Sequence, residues 1–84
     1  MSIIRASLTV YARHGCHLCE DLLMQLHDLK KLYDFEFAVV DVDSRAELAE
    51  LYGQYVPVVM QGETRICQYF LDQTALFNAL DVMK

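Results

Sequence analysis

Apolar and polar positions along the chain fall into blocks that predict seven elements. Leu8-Thr9-Val10-Tyr11-Ala12 is an apolar, β-branched run with no breaker before Gly15, and predicts a first strand. From His17 onward the period lengthens. Leu18, Leu22, Leu26, Leu29 and Tyr33 recur every three or four residues, along one side of an amphipathic helix ending near Tyr33. Glu20 and Asp21 suit its first turn, and Lys30 and Lys31 its last, where each sign complements the helix dipole. Phe35 to Val42 predicts a second strand. Its adjacent Val39 and Val40 point to opposite faces, as in a central or parallel strand covered on both sides.

Ser44 with Glu47 three residues on has the spacing of a capping box, predicting a short helix from Arg45 to Tyr52 closed by Gly53 at C′. Val58-Val59-Met60 and Thr64 to Tyr69 flank Gln61-Gly62-Glu63 as a hairpin, since Gly62 can take the positive φ such a loop requires. Asp72 caps a last helix to about Val82, with Ala75, Leu76, Ala79 and Leu80 as its stripe. The order is β-α-β-α-β-β-α. Strands joined through a helix should be parallel with a right-handed crossover, and the final hairpin adds antiparallel strands. The expected fold class is α/β, a four-stranded mixed sheet flanked by helices.

At 84 residues the chain holds one domain, residues 1–84, and its 55% hydrophobic content is too high for disorder. A net charge of −5 has the wrong sign for a phosphate backbone, so no nucleic-acid partner is expected. Nor is a membrane partner, since no apolar run approaches a span and Met1 to Val10 lacks the features of a signal peptide. A cytoplasmic monomer is expected. In that compartment disulfides are uncommon and usually catalytic, so the three cysteines are read first as chemistry.

Cys16-His17-Leu18-Cys19 sits where the first strand turns into the first helix. Two cysteines at this spacing can close a short disulfide, and the unpaired N–H groups and positive dipole end favour a thiolate at the first. A thiolate attacks a disulfide, and a neighbouring thiol then resolves the mixed disulfide. Cys16 is accordingly assigned as nucleophile and Cys19, a turn inside the helix, as resolver.

Over essentially its whole length the chain resembles the glutaredoxin-like proteins of the thioredoxin superfamily. The resemblance rests on Tyr11-Ala12-Arg13-His14-Gly15-Cys16-His17-Leu18-Cys19, then Asp41-Val42-Asp43, Glu47-Leu48, Leu51-Tyr52-Gly53 and Val56-Pro57-Val58-Val59. It implies a thioredoxin-like fold and a thiol-disulfide oxidoreductase that cycles its C-x-x-C pair, acting on a disulfide-containing protein or a glutathione mixed disulfide. It further implies a cis Val56-Pro57 bond facing the disulfide, with the Val56 backbone pairing with substrate, and Arg13 holding a carboxylate of glutathione. No permanently bound cofactor is implied, and glutathione enters as co-substrate.

Three positions depart from the glutaredoxin pattern. Counting from Pro57, Cys67-Gln68 stands where the family has the Gly-Gly pair that admits glutathione's backbone. Glu20 and Asp21 follow Cys19 where many members have basic residues, opposing the dipole at the thiolate. There is no Trp, and Val10 falls where thioredoxins carry a buried acid.

Other residues carry blander readings. Arg13 could be a solvated loop residue, and His14 and His17 exposed neighbours of Cys16 rather than proton donors. Cys67 could be a small buried hydrophobe, a second resolving thiol, or the third cysteine of a Cys₃His zinc set. No metal site is assigned, because that set lacks a second closely spaced ligand pair. Phe35, Phe37, Phe70 and Phe77 are taken as core, and Asp41 and Asp43 as caps of the turn into Ser44. The alternative to an enzyme is a thioredoxin-fold module that binds zinc, an iron-sulfur cluster or a protein without redox turnover.

Overall fold

The computed structural model describes residues 6–80. Strand β1 (Ala6–Ala12) leads into helix α1 (His17–Lys30), strand β2 (Phe35–Asp41), a 3-10 turn at Val42–Ser44 and helix α2 (Ala46–Tyr52). Strands β3 (Val58–Gln61) and β4 (Thr64–Gln68) and helix α3 (Gln73–Leu80) follow. The four strands lie in the order β2-β1-β3-β4. β1 is parallel to β2, while β3 runs antiparallel to both β1 and β4. This is the predicted element order and mixed sheet. The part of the last helix expected at residues 81–82 lies outside the described residues.

Alternation along β1 sorts the layers. Leu8 and Val10 face one side, where Leu22 and Leu26 of α1, Phe35, Val59 and Leu76 of α3 complete the buried cluster. Tyr11 faces the other side and stacks on Tyr52 of α2, ring centroids 4.1 Å apart. Helices α1 and α3 therefore cover one face and α2 the other. Tyr33, just past α1, packs against Phe77 of α3 and ties the two helices together at that end.

Local structure departs from the sequence expectation at four places. β2 is parallel but lies at the sheet edge, and Val39 is 51% exposed. The strand buried on both faces is β3, whose Val58, Val59 and Met60 are all interior because β1 and β4 flank it and helices cover it. The capping box does not form. The Ser44 hydroxyl instead donates to the Asp41 carbonyl at 2.6 Å, and Arg45 becomes the N-cap of α2 without a side-chain cap. Gly53 ends α2 at φ −56°, right-handed, so close approach rather than a left-handed turn makes it glycine. A Cβ there would stand 2.4 Å from the Ala49 carbonyl oxygen and 2.9 Å from Arg13 Nη2. Phe70 is not core. It is 69% exposed in the loop after β4, where three successive residues, Tyr69-Phe70-Leu71, cannot all turn inward.

The expected caps and hairpin turn are in place elsewhere. Gly62 takes φ +58° between β3 and β4, and the Ala75 N–H donates to Asp72 Oδ1 at 3.0 Å at the start of α3.

Candidate active site

The register of the sheet brings the predicted site residues to one end of it. β1 pairs Tyr11 with Val58, so the next row sets Ala12 against Pro57, and the loop Arg13–Cys16 leaves from that edge. The Tyr69 N–H donates to the Pro57 carbonyl at 2.9 Å, extending the same row to β4's end. The Val56-Pro57 bond is cis. Among the described residues, the backbone N–H and C=O of Val56 make no backbone hydrogen bond.

Cys16 is the N-cap of α1. Its sulfur accepts from the Cys19 N–H at 3.2 Å, and its carbonyl accepts from the Glu20 N–H at 3.0 Å. The first sulfur thus does what a Ser or Asp oxygen does at other helix starts, satisfying a backbone donor that has no partner within the helix. Cys16 is half-exposed, whereas Cys19 is buried, and neither is bridged. Burial, and then a hydrogen bond with the Cys16 side chain, push the Cys19 thiol up to about 11, partly offset by a backbone hydrogen bond from Arg13. The two thiols are therefore unlike: one accessible at the helix tip, the other shielded and held protonated behind it. A groove of about 320 Å³ opens on the β2 side, lined by Ala12, Arg13, His14, Cys19, Glu20 and Val39 among others.

Arg13 is engaged within the chain. Nε and Nη2 donate to the two oxygens of Asp43 at 2.9 and 3.0 Å, and Nη1 donates to the Gly53 carbonyl at 3.1 Å. This bidentate pair raises the Arg13 pKa and holds the Asp43 carboxyl below its ordinary range. The loop before Cys16 is thereby fastened to the turn after β2 and to the end of α2. Asp43 is a site residue that local sequence logic assigns to its own turn. Its one sequence signal is Asp41, which already caps that turn by accepting the Asp43 N–H at 2.9 Å and leaves the second carboxylate without a local task.

His14 and His17 are both exposed, and His17 Nδ1 stands 3.9 Å from a Glu20 oxygen. Cys67 pairs with Val59, facing the α1 and α3 side, where it packs against the buried cluster; burial raises its thiol pKa. Among the described residues, no three His, Cys, Asp or Glu side chains come together in a way that could hold a metal ion, so the Cys₃His set is not assembled.

The loop from β4 to α3 completes this end of the molecule. Tyr69 holds φ +68°, a left-handed backbone that a bulky side chain rarely adopts. Its hydroxyl donates to the Gln54 carbonyl at 3.0 Å, and its ring lies 6.4 Å from that of Tyr55, so it props the segment leading into Val56-Pro57. The segment Cys67-Gln68-Tyr69 thus carries a half-buried thiol and, two residues on, an aromatic ring.

The glutaredoxin-like domain (DUF836) matches residues 7–81. The chain belongs to that glutaredoxin-like family. A protein of Nitrosomonas europaea, solved by solution NMR, is 35% identical, with 95% of this chain and 96% of that one covered and a TM-score of 0.82. An X. campestris protein solved by X-ray diffraction is 32% identical, covering 89% of this chain and 96% of its own, with a TM-score of 0.64. Thioredoxin 1 from Thermosipho africanus shares the fold, with a TM-score of 0.60 at 17% identity over 92% of each chain. No curated protein matches the sequence. The family and the thioredoxin-like fold expected from the sequence are thus both established. Among the described residues, no helix is long and apolar enough to cross a membrane.

Proposed function

We propose that this glutaredoxin-like protein is a thiol-disulfide oxidoreductase that cycles Cys16 and Cys19 between dithiol and disulfide. The observation that carries this reading is the asymmetry of the pair: Cys16 caps α1 with its sulfur half-exposed, and Cys19 lies buried one turn behind it.

The Cys16 thiolate attacks one sulfur of a substrate disulfide. A bond forms between the Cys16 sulfur and that sulfur, the substrate S–S bond breaks, and the departing thiolate takes up a proton. Cys19 then gives up its proton and attacks the Cys16 sulfur, closing the Cys16–Cys19 disulfide and releasing the second substrate thiol. Two electrons pass from the dithiol to the substrate, and an external thiol restores the dithiol by the reverse exchange. The buried position of Cys19 supports its role as resolver, since it meets Cys16 more readily than any outside disulfide.

In this reading the free backbone edge at Val56, beside Pro57, receives the extended substrate, and Arg13 fixes the loop that carries Cys16. The substrate is a disulfide of a protein or a glutathione mixed disulfide. A reducing compartment such as the cytoplasm suits a pair that must return to the dithiol.

Cys16→Ser should abolish disulfide reductase activity, whereas Cys19→Ser should accumulate a mixed disulfide on Cys16 that mass spectrometry detects. Full activity in Cys16→Ser would overturn the assignment.

A further inference from the structure

We propose that the disulfide this site takes belongs to a polypeptide with an apolar side chain beside its cysteine, and that Asp43 turns the anionic tripeptide glutathione away. This rests on the dithiol reading above and names its substrate class.

Charge argues first. Glutathione carries two carboxylates and a single ammonium, so a site that holds it needs cationic donors free to meet them. The arginine of the motif loop is not free: both oxygens of Asp43 occupy its fork, and the Gly53 carbonyl takes a third donor. A ligand carboxylate would have to displace one of equal charge and leave Asp43 unpaired beside the incoming anion. Asp41 also acts on Arg13, and Glu20 and Asp21 are exposed on the first turn of α1. His14 and His17 flank Cys16 but are exposed, and His17 has Glu20 at 3.9 Å. Around the Arg13 loop negative charge therefore outweighs what an anionic substrate could use.

The opposite flank of the motif gathers several apolar side chains among polar ones. A cleft of about 90 Å³ lies between the first two turns of α1 and the loop after β4, lined by Leu18, Leu22, Phe70 and Leu71 together with Asp21, Gln25 and Tyr69. Leu18, two residues after Cys16, places the cleft on the flank of the first turn of α1. Phe70 is 69% exposed, so its ring gains contacts only when something else covers it. The backbone at Tyr69 is left-handed at φ +68° and tied to the Pro57 carbonyl at 2.9 Å, which holds the loop against the Val56-Pro57 segment. A conformation this unfavourable for a bulky residue persists only where surrounding bonds enforce it, and here it sets Phe70 beside the site. A cleft of this size takes one aliphatic side chain of an extended polypeptide, and Asp21 in its lining disfavours a carboxylate next to it.

The test uses the full chain with Cys19→Ser, so that a single exchange is trapped as a mixed disulfide on Cys16. Adduct formation is followed by mass spectrometry with three probes: glutathione disulfide, and two symmetrical peptide disulfides with blocked ends, carrying leucine or serine next to the cysteine. The leucine peptide should react about tenfold faster than glutathione disulfide. Phe70→Ser should bring the leucine-to-serine ratio towards one. Asp43→Asn, which keeps the side-chain shape and one accepting oxygen but removes the charge, should raise the glutathione rate several-fold relative to the leucine peptide. Glutathione disulfide reacting as fast as the leucine peptide overturns the proposal, as does either ratio staying fixed in its variant. No adduct from any probe, while iodoacetamide still alkylates Cys16, overturns the oxidoreductase reading itself; adducts in the wrong order overturn only the substrate class.

Discussion

Arg13 and Asp43 meet fork to carboxylate across thirty residues, Nε to Oδ2 at 2.9 Å and Nη2 to Oδ1 at 3.0 Å. The pair joins the loop before Cys16 to the turn after β2, so the position of the first sulfur depends on a residue in the turn that leads into α2. Because Arg13 holds the Asp43 carboxyl below its ordinary 3.8, the unfolded chain takes up that proton at a higher pH than the folded one. The contribution is present above 3.8 and is lost as pH falls through the lowered folded value. Arg13 itself stays charged throughout this range. Wild type should therefore exceed Asp43→Asn in urea midpoint near neutrality, with the two converging in strong acid. A gap that persists unchanged to about pH 2 would remove the ion pair as its cause.

Gly53 supplies the second fastening, because its carbonyl accepts from Arg13 Nη1 at 3.1 Å and its missing side chain leaves room for the guanidinium. An alanine Cβ would press on the Ala49 carbonyl oxygen, at 2.4 Å, which is backbone and cannot swing aside. Gly53→Ala should destabilise the fold by about 1–3 kcal/mol, the usual cost of overpacking. Gly62→Ala makes a useful contrast: it meets nothing within 4 Å, and its cost comes from φ +58° alone. Denaturant unfolding of the two variants, with thiol reactivity of Cys16 followed in parallel, checks this. Only Gly53→Ala should alter the reactivity.

What the sequence makes legible here is whatever is local and periodic. The Leu22 and Leu26 spacing, the alternation of Leu8 and Val10, the glycine of the hairpin and the Asp72 cap each depend on neighbours within a turn or a strand, and each is where the pattern puts it. The same logic misplaces residues whose partner is distant. Ser44 and Glu47 have capping-box spacing, yet Asp41 and Ser44 close a 3-10 turn first, and Glu47 pairs with Arg45 at 3.2 Å instead. Asp43 reads as a second cap because its true partner lies thirty residues away. Val39 and Val40 suggest double coverage, but only strand order decides which strand is central, and that place falls to β1 and β3. The site cysteines were legible because C-x-x-C between strand and helix is a local signal. Tyr69 and Phe70 were not, since nothing nearby marks a left-handed tyrosine.

With no disulfide to staple it, the fold depends on its buried cluster, and Leu26 stands at the centre of it at 0% exposure beside Leu8, Val10, Leu22, Phe35 and Leu76. Leu26→Ala should cost about 2–5 kcal/mol through lost burial and the cavity left behind. Leu32, six residues on and 76% exposed, should tolerate alanine within about 0.5 kcal/mol. Urea midpoints of the two variants measure the difference. Equal losses would mean that α1 does not pack as its stripe implies.

Cys19 is the shielded thiol of the pair. Its thiol is pushed up to about 11 from an ordinary 9.0, chiefly by burial and then by its hydrogen bond with Cys16. The thiolate is the reactive form, so at pH 8 Cys19 in the reduced protein should be alkylated about a hundredfold more slowly than an unperturbed thiol, before any shielding from reagent is added. The sign for stability follows from the same shift. The unfolded chain releases this proton near 9 and the folded chain near 11, so native protein binds more protons between those values and stability falls as pH rises through them. Fragmentation mass spectrometry, which separates Cys16 from Cys19 labelling within one peptide, gives the rate at each position across pH. Cys19 labelling should climb steeply only as pH approaches 11. Labelling at pH 8 as fast as an unfolded control would show that the second thiol is open to outside reagents, and would remove the basis for its role as internal resolver.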